Sequence, residues 1–279
     1  MGRLNLTRVD NAPVFRKIAM GTWNKGGDPS VYGLLEIDMT HAMTFMKEYS
    51  EKHEVKITPT HLVGKAIARC MKIRPESNGM IRGHRIYQRK DVDVFFQVNI
   101  PGGVGPDGAG KANLSGCTVH KADQLSLKEL ALMLQNRADM VRRNKDPILT
   151  ETLKIFEWMP WWMVGSVLWL SSFLTYGLNL NLQWLGIPRD PFGSVMITSV
   201  GSMGIDVALA PLVPYSRVPL LLAIGSIRDM PVVKDGSISA APVMRIGVTF
   251  DHRFIDGVHA SQMSREFKRC FEDPWKYLA

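Results

Sequence analysis

Cysteine is scarce in this chain. Only three occur among 279 residues, Cys70, Cys117 and Cys270, and they stand far apart. Neither a CxxC pair nor a Cys/His pattern with zinc-ligand spacing is present. A disulfide framework or a structural zinc site is therefore not expected, and the composition favours a reducing compartment such as the cytoplasm.

The beginning of the sequence lacks the apolar core of a secretory signal peptide, since residues 1–15 read MGRLNLTRVDNAPVF. Internal repeats, low-complexity tracts and an Ala/Pro-rich linker are also absent. With 46% hydrophobic and 22% charged residues, the chain predicts a single globular domain over residues 1–279. We expect a cytoplasmic protein, with peripheral membrane attachment as an open alternative.

Acidic residues are outnumbered by basic ones. The chain has 34 Lys and Arg against 26 Asp and Glu, and its formal net charge is +8. This excess favours anionic partners, such as a phosphorylated cofactor, nucleic acid or an acidic membrane surface, without choosing among them. The basic residues are scattered along the sequence, as is typical of a solvated surface, and we expect no nucleic-acid binding.

Charged residues are absent altogether from residues 158–188. This stretch is the centre of a hydrophobic insertion that we place at residues 145–190, and the part reading WMPWWMVGSVLWLSSFLTY holds four of the seven tryptophans. About 20 apolar residues can cross a bilayer, but Pro160, Gly165 and the many tryptophans are atypical of a spanning core. Three roles stay open: a span, a membrane-surface segment through residues 158–187, and a protein–protein or core element.

The remaining hydrophobic pattern predicts an α/β domain with one main sheet. Strand-like runs cover residues 31–40, 193–201 and 219–227, and helix-spaced apolar positions cover residues 41–53, 58–73, 126–143 and 258–271. Asp235 and Gly236 predict the tight turn of a hairpin.

His252 lies in the segment FDHRFIDG, which concentrates chemistry-bearing side chains. On one helix, His252, Asp256 and His259 would align as metal ligands, but a strand-like run precedes the segment and Gly257 disfavours a helix through it, so we expect no metal. As a general base, His252 could be oriented by a neighbouring carboxylate. From these residues alone, catalysis and a structural ion pair with Arg253 both remain open.

The segment FDHRFIDGVHA resembles the DHRxxDG signature of the catalytic domain of 2-oxo acid dehydrogenase complex acyltransferases, which share the fold of chloramphenicol acetyltransferase. The segments FRKIAMGTW, ITPTHLVGKAIARCMKIRPESNG, GSVMITSVGSMG and LLLAIGSIRDMPVVKDGSI are similar to other motifs of that family. The resemblance covers nearly all of residues 12–279 in the right order, apart from the insertion. It implies a chloramphenicol acetyltransferase-like two-layer α/β sandwich with a mixed central sheet.

The resemblance also implies roles for individual residues. His252 matches the histidine that removes the proton from the thiol of coenzyme A or of an acyl-accepting partner, and Thr198 matches the hydroxyl that stabilises the oxyanion. Asp256, which we place with His252 and Thr198 among the catalytic residues, matches an acid that pairs with the N-terminal arginine, here Arg16, which would support the geometry of the site. Ser199 is an alternative to Thr198 by one register, although strand alternation turns only one of the two toward the site.

Arg253 and Gly257 are expected to support the geometry of this site. The family likeness implies a homotrimer or a higher assembly of trimers, in which His252 of one chain faces Thr198 of its neighbour. Coenzyme A is the expected substrate, and without a lipoyl domain in the sequence the acyl carrier would arrive in trans. The alternative is a catalytically idle scaffold that uses the insertion for assembly or membrane binding, although an idle scaffold needs neither His252 nor Thr198.

Overall fold

The computed structural model describes residues 6–8, 28–83, 85–100, 113–142, 160–185, 187, 189–234 and 236–279. The strands in chain order are β1 (Leu6–Arg8), β2 (Ser30–Asp38), β3 (Gly79–Arg82), β4 (Arg85–Arg89), β5 (Val94–Ile100), β6 (Asn113–Val119), β7 (Val195–Ser199), β8 (Leu220–Lys234) and β9 (Ser237–Asp251). The helices are α1 (Thr40–His53), α2 (Pro59–Ile73), α3 (Leu127–Arg142), α4 (Trp161–Ser172), α5 (Gly257–Glu272) and α6 (Pro274–Tyr277).

Six of these strands form the main sheet, in the order β2-β9-β8-β7-β5-β6. β7 runs parallel to both of its neighbours, β5 and β8, and the other pairs are antiparallel. The sheet is therefore mixed, as predicted. A smaller sheet has the order β1-β4-β3.

The helical predictions at residues 41–53, 58–73, 126–143 and 258–271 are each confirmed to within one residue at both ends. The start of α2 shows why the prediction works. Thr58 is extended, Pro59 occupies the first turn, and the Thr58 N–H donates to Nδ1 of His61 at 3.2 Å. The hairpin is confirmed as well, because Lys234 pairs with Ser237. Its turn residue Asp235 lies outside the described residues.

Helices α1, α2, α3 and α5 pack on one face of the main sheet and enclose the hydrophobic core. Buried residues from all four, including Phe45, Leu62, Leu130 and Phe267, share one cluster with Ile197 of β7. The opposite face carries a smaller cluster of four buried residues, to which loop residues add cover: Met196, Val218, Leu221 and Ala223. The two faces of the sheet therefore differ in what covers them.

Residues 205–213 run along this second face, close to β8 and β9. A Cβ atom at Gly225 would lie 1.8 Å from the carbonyl oxygen of Asp206, and a Cβ at Gly247 would lie 2.0 Å from that of Ala208. Only glycine permits so close an approach. The segment in turn exposes large apolar side chains on its outer side, which we call the outer stripe: Ile205, Val207, Leu209 and Val213.

The described part of the insertion begins with α4 and continues through a π-helical turn, Phe173–Gly177, and a short 3-10 turn, Gln183–Leu185. Two arginine contacts fix its middle to the domain: Arg82 donates to the carbonyls of Tyr176 and Gly177 at 2.5 and 3.3 Å. Among the described residues, no helix combines the length and apolarity that crossing a membrane requires.

Candidate active site

The tight turn that follows β9 presents His252. The amides of Phe254 and Ile255 donate to the carbonyl of Asp251 at 3.0 and 2.8 Å, and both side chains are buried in the core. The N–H of His252 donates to the carbonyl of Pro29 at 2.9 Å, which ties the turn to the beginning of β2. His252 is thus held on an anchored turn with its side chain partly exposed.

Asp251 and Arg253 flank His252 and form an ion pair. Nη2 of Arg253 lies 2.7 Å from Oδ2 of Asp251, and the Arg253 amide donates to Oδ1 at 2.9 Å. The structural ion pair that the sequence left open therefore exists beside His252. The pair joins the guanidinium of Arg253 to the carboxylate of Asp251, two residues earlier, which is consistent with the expected role of Arg253 in shaping the turn.

Asp256 caps the final helix. Its Oδ1 accepts hydrogen bonds from the backbone amides of Val258 and His259, each at 3.0 Å, and lies 2.6 Å from Nδ1 of His259. α5 begins at Gly257, directly after this cap. The partner expected for Asp256, Arg16, lies outside the described residues.

The helix boundary also shows that His252, Asp256 and His259 are not aligned on one helix. His252 stands in the turn before Asp256, whereas His259 is on α5, so the three side chains do not share one helix face. In the ranges that the structure describes, no group of three His, Cys, Asp or Glu side chains is arranged as a metal ligand set.

Thr198 is partly exposed near the end of β7, and its partner across the sheet is Ala223 of β8. Side chains alternate along a strand. Because Ile197 belongs to the helix-covered core and Met196 to the second cluster, Thr198 projects from the second face and Ser199 from the helical face. The alternation thus favours Thr198 over Ser199 as the residue on the second face.

His252 and Thr198 are far apart within one chain. Phe250 pairs with Leu220, three residues before Ala223 along β8, and β8 separates β9 from β7. At about 3.3 Å per residue and about 4.8 Å between strands, Phe250 and Thr198 are roughly 14 Å apart. His252 lies two residues beyond Phe250, on the side away from Thr198.

A cavity of about 600 Å³ adjoins the turn that carries His252. Asp251 and Arg253 form part of its wall, together with residues 28–30, residues 212–214 and Arg217. The wall therefore combines apolar side chains with two carboxylates and two guanidinium groups. These are the features of a pocket for a ligand with a polar end.

Arg217 connects this cavity to the insertion. Its Nη1 donates to the carbonyl of Ile81 at 2.8 Å, its Nη2 donates to Oγ of Ser172 at 2.9 Å, and its guanidinium lies 4.8 Å from the ring centroid of Tyr176. Burial lowers the pKa of Arg217 and raises that of Tyr176. Sequence reasoning missed Arg217, because its position in the wall depends on contacts with residues distant in the chain.

Comparison with known proteins agrees with the motifs. The sequence model of the family described as 2-oxoacid dehydrogenases acyltransferase (catalytic domain) matches residues 16–148 and 192–279. The unmatched residues 149–191 fall within the predicted insertion, residues 145–190, except for residue 191. The chain is 25% identical over 247 residues to the dihydrolipoyllysine-residue succinyltransferase component of the 2-oxoglutarate dehydrogenase complex of Haemophilus influenzae. That alignment covers 87% of this chain but 48% of the relative, so the chain spans about half the relative's length.

Solved structures show the same fold. The cubic core of a pyruvate dehydrogenase multienzyme complex and the dihydrolipoamide acetyltransferase of Azotobacter vinelandii each align with a TM-score of 0.64 at 20% identity. Both alignments cover 97% of this chain and 94% of the other. The predicted mixed α/β fold is confirmed by these likenesses. Since the family match extends over most of the sequence on both sides of the insertion and includes His252 and Thr198, the chain belongs to the 2-oxoacid dehydrogenase acyltransferase family, in its catalytic-domain part.

Proposed function

We propose that this protein transfers an acyl group between coenzyme A and a thiol acceptor, with His252 as the general base. The acceptor is a dihydrolipoyl group, or another carrier thiol, that arrives in trans. The observation that carries the proposal is the placement of His252 on an anchored turn, between two residues that line the 600 Å³ cavity, in a chain of this family.

The chemistry follows from what a thiol and a thioester require. His252 takes the proton of the acceptor thiol, and the thiolate attacks the carbonyl carbon of the acyl-CoA thioester. The carbonyl electron pair moves onto oxygen, where the hydroxyl of Thr198 donates a hydrogen bond. When the tetrahedral intermediate collapses, the bond from carbon to the coenzyme A sulfur breaks. The leaving thiolate then takes the proton from His252.

Both groups must reach the same thioester, and one chain cannot provide both. A general base acts at about 2.6–3.2 Å, whereas the strand register separates His252 from Thr198 by more than roughly 14 Å. Thr198 is therefore supplied by a neighbouring copy. The outer stripe lies on the face of the sheet from which Thr198 projects, and its exposed apolar side chains suit a contact between subunits in a homotrimer or a higher assembly of trimers.

The relatives support these roles. For the A. vinelandii enzyme, a serine, a histidine and an asparagine have been investigated in the catalytic mechanism, and the last two are four positions apart. His252 and Asp256 have that spacing here, and Thr198 offers the hydroxyl. The H. influenzae relative is named for transfer to a dihydrolipoyllysine residue, which fits a dihydrolipoyl acceptor.

The decisive experiment measures acyl transfer from acetyl-CoA and from succinyl-CoA to dihydrolipoamide. We expect His252→Ala to lower kcat by about 10²–10⁴-fold, the usual contribution of a positioned base. The matched control is His41→Ala, an exposed histidine in the first turn of α1, at the opposite end of β2 from the catalytic turn. It should retain the wild-type rate.

Two outcomes would overturn the proposal. If His252→Ala keeps the wild-type rate, His252 is not the base. If the wild-type protein neither binds coenzyme A in calorimetry nor turns over any acyl-CoA with any thiol, the chain is an idle assembly scaffold.

A further inference from the structure

The insertion presents an apolar surface to the outside of the protein. We call it the tryptophan face, and its members are Trp162, Met163, Trp169, Leu170, Phe173, Leu178, Leu180 and Trp184, all of them exposed. Trp162 and Trp169 are each 67% exposed, and Trp184 is 76% exposed. In α4 and the turn after it, positions 162, 169 and 173 recur at spacings of seven and four, which places their side chains on one side of the helix.

The end of the same helix is held to the domain by polar contacts. Ser171 lies 3.3 Å from the hydroxyl of Tyr215, and Ser172 accepts the hydrogen bond from Arg217. A helix on the surface of a water-soluble domain normally buries its apolar side and exposes a polar side. α4 is apolar on all sides, so its outer side exposes tryptophans, while Arg217 holds its last turn and Arg82 holds the turn that follows. The outward direction of the tryptophan face is therefore fixed by specific contacts.

Exposed apolar surface of this kind indicates a binding partner. A protein partner would be met by an apolar centre with a rim of polar and charged groups, but residues 158–188 contain no Asp, Glu, Lys, Arg or His. Tryptophan is the residue that prefers the boundary between lipid headgroups and acyl chains. The chemistry of the tryptophan face thus fits a lipid surface better than a protein surface.

The charge of the chain as a whole selects the kind of lipid. The sequence around the uncharged stretch is mixed: residues 137–145 hold four basic residues and one acidic residue, residues 146–157 hold three acidic residues and one basic residue, and Arg189 is followed by Asp190. The whole chain, however, carries a formal charge of +8. A protein with this net positive charge and an uncharged aromatic face is attracted to a bilayer with negatively charged headgroups.

We propose that the tryptophan face docks this protein on the surface of an anionic lipid bilayer, with α4 lying in the headgroup region and its tryptophans at the acyl-chain boundary. The 12 residues of α4 give a length of about 18 Å, which is short of the hydrocarbon thickness of about 30 Å. Docking is therefore shallow and peripheral. This inference does not rest on the acyl-transfer proposal, because the tryptophan face lies outside the residues assigned to catalysis.

The experiment is flotation of the full chain with two kinds of vesicle, one of phosphatidylcholine alone and one of phosphatidylcholine mixed with phosphatidylserine. We expect flotation with the phosphatidylserine vesicles, and less of it at high salt because the charge attraction is screened. Brominated lipids should quench the tryptophan fluorescence of the bound wild-type protein. Equal flotation on both vesicles would disprove the requirement for anionic lipid, and protein that stays at the bottom with both would disprove docking.

The matched variants separate this face from general stickiness. The triple variant Trp162→Ser, Trp169→Ser and Trp184→Ser should float at least tenfold less. The control Val233→Ser with Ile238→Ser removes two apolar side chains that are 73% and 79% exposed on the hairpin, and it should float like the wild type. Unchanged flotation of the triple variant would overturn the proposal. So would a wild type that does not float and a triple variant with a smaller assembly mass by light scattering, because the face would then be a contact between copies.

Discussion

Nε of Arg89 lies 2.7 Å from Oδ2 of Asp190, and Nη2 of Arg89 lies 3.1 Å from Oδ1. This two-pronged ion pair joins β4 to the last residue of the predicted insertion. Arg89 is only 6% exposed and also donates to the carbonyl of Gly79. The insertion, most of which the family match omits, is therefore fastened to the matched part of the domain by this charge pair.

We expect Arg89→Met to lower the free energy of unfolding by about 3–5 kcal/mol, because it leaves the Asp190 carboxylate without its partner. Asp190→Asn should cost less, since an asparagine oxygen can still accept from Arg89 and asparagine tolerates the left-handed backbone at φ 46°. Lys234→Met is the control: it removes an exposed ion pair with Asp38 and should change stability by less than about 1 kcal/mol. Urea denaturation measures all three, and equal losses for Arg89→Met and Lys234→Met would contradict the prediction.

The hydroxyl on β7 can be tested by comparing neighbours. Thr198→Ala should lower kcat by about 10²–10³-fold, the effect of removing one oxyanion donor, and Thr198→Ser should retain most of the rate. Ser199→Ala should behave like the wild type, because Ser199 projects from the helical face. If Ser199→Ala is the variant that loses activity, the side-chain alternation deduced here for β7 is wrong.

Two substitutions of Asp256 distinguish a supporting role of its carboxylate from a catalytic one. Asp256→Ala removes the helix cap and should lower the free energy of unfolding by about 1 kcal/mol. Asp256→Asn keeps an oxygen that accepts from the amides of Val258 and His259, and we expect both its stability and its kcat to stay within a few-fold of the wild type. A loss of more than a hundredfold in kcat for Asp256→Asn at unchanged stability would assign the carboxylate a direct part in the reaction.

The buried His61 should make the free energy of unfolding depend on pH. Burial lowers its pKa from 6.5 to about 4. Between these values the unfolded chain takes up a proton that the folded chain does not, so stability falls as the pH drops from about 6.5 toward 4. The full loss is of order 3 kcal/mol. His61→Asn, whose side-chain oxygen can accept from the Thr58 amide, should remove this part of the pH dependence in urea titrations; an unchanged slope would show that other groups cause it.

The local elements could be predicted from the sequence because their signals are local. α2 begins where Pro59 follows Thr58, and the hairpin turns at Gly236, whose φ is +77°. The N-cap of α5 could also have been predicted from the sequence, since an aspartate directly before the start of a helical apolar pattern is a common N-cap signal. The family resemblance implies a pairing of Asp256 with Arg16, which stays a prediction, and the capping role was missed.

The contacts that shape the site could not be predicted, because they join distant parts of the chain. Arg89 and Asp190 are 101 residues apart, and Arg217 and Ile81 are 136 apart. Neither pair leaves a periodic or adjacent pattern in the sequence. The close approach of residues 205–213 to Gly225 and Gly247 is equally non-local. A glycine in a strand leaves room for the close approach of another segment, but it does not identify that segment.

The separation of His252 from Thr198 leads to a test of where the active site lies. His252→Ala and Thr198→Ala should each be nearly inactive alone. When the two variants are co-expressed and mix at random in a cyclic trimer, about one contact in four joins an intact His252 to an intact Thr198, so about a quarter of the wild-type rate should return. Mixing the separately purified variants after assembly, without subunit exchange, provides the control and should restore nothing. A site built within one chain would give no recovery in either case, and purification through two different affinity tags, one on each variant, would show whether hybrid assemblies had formed.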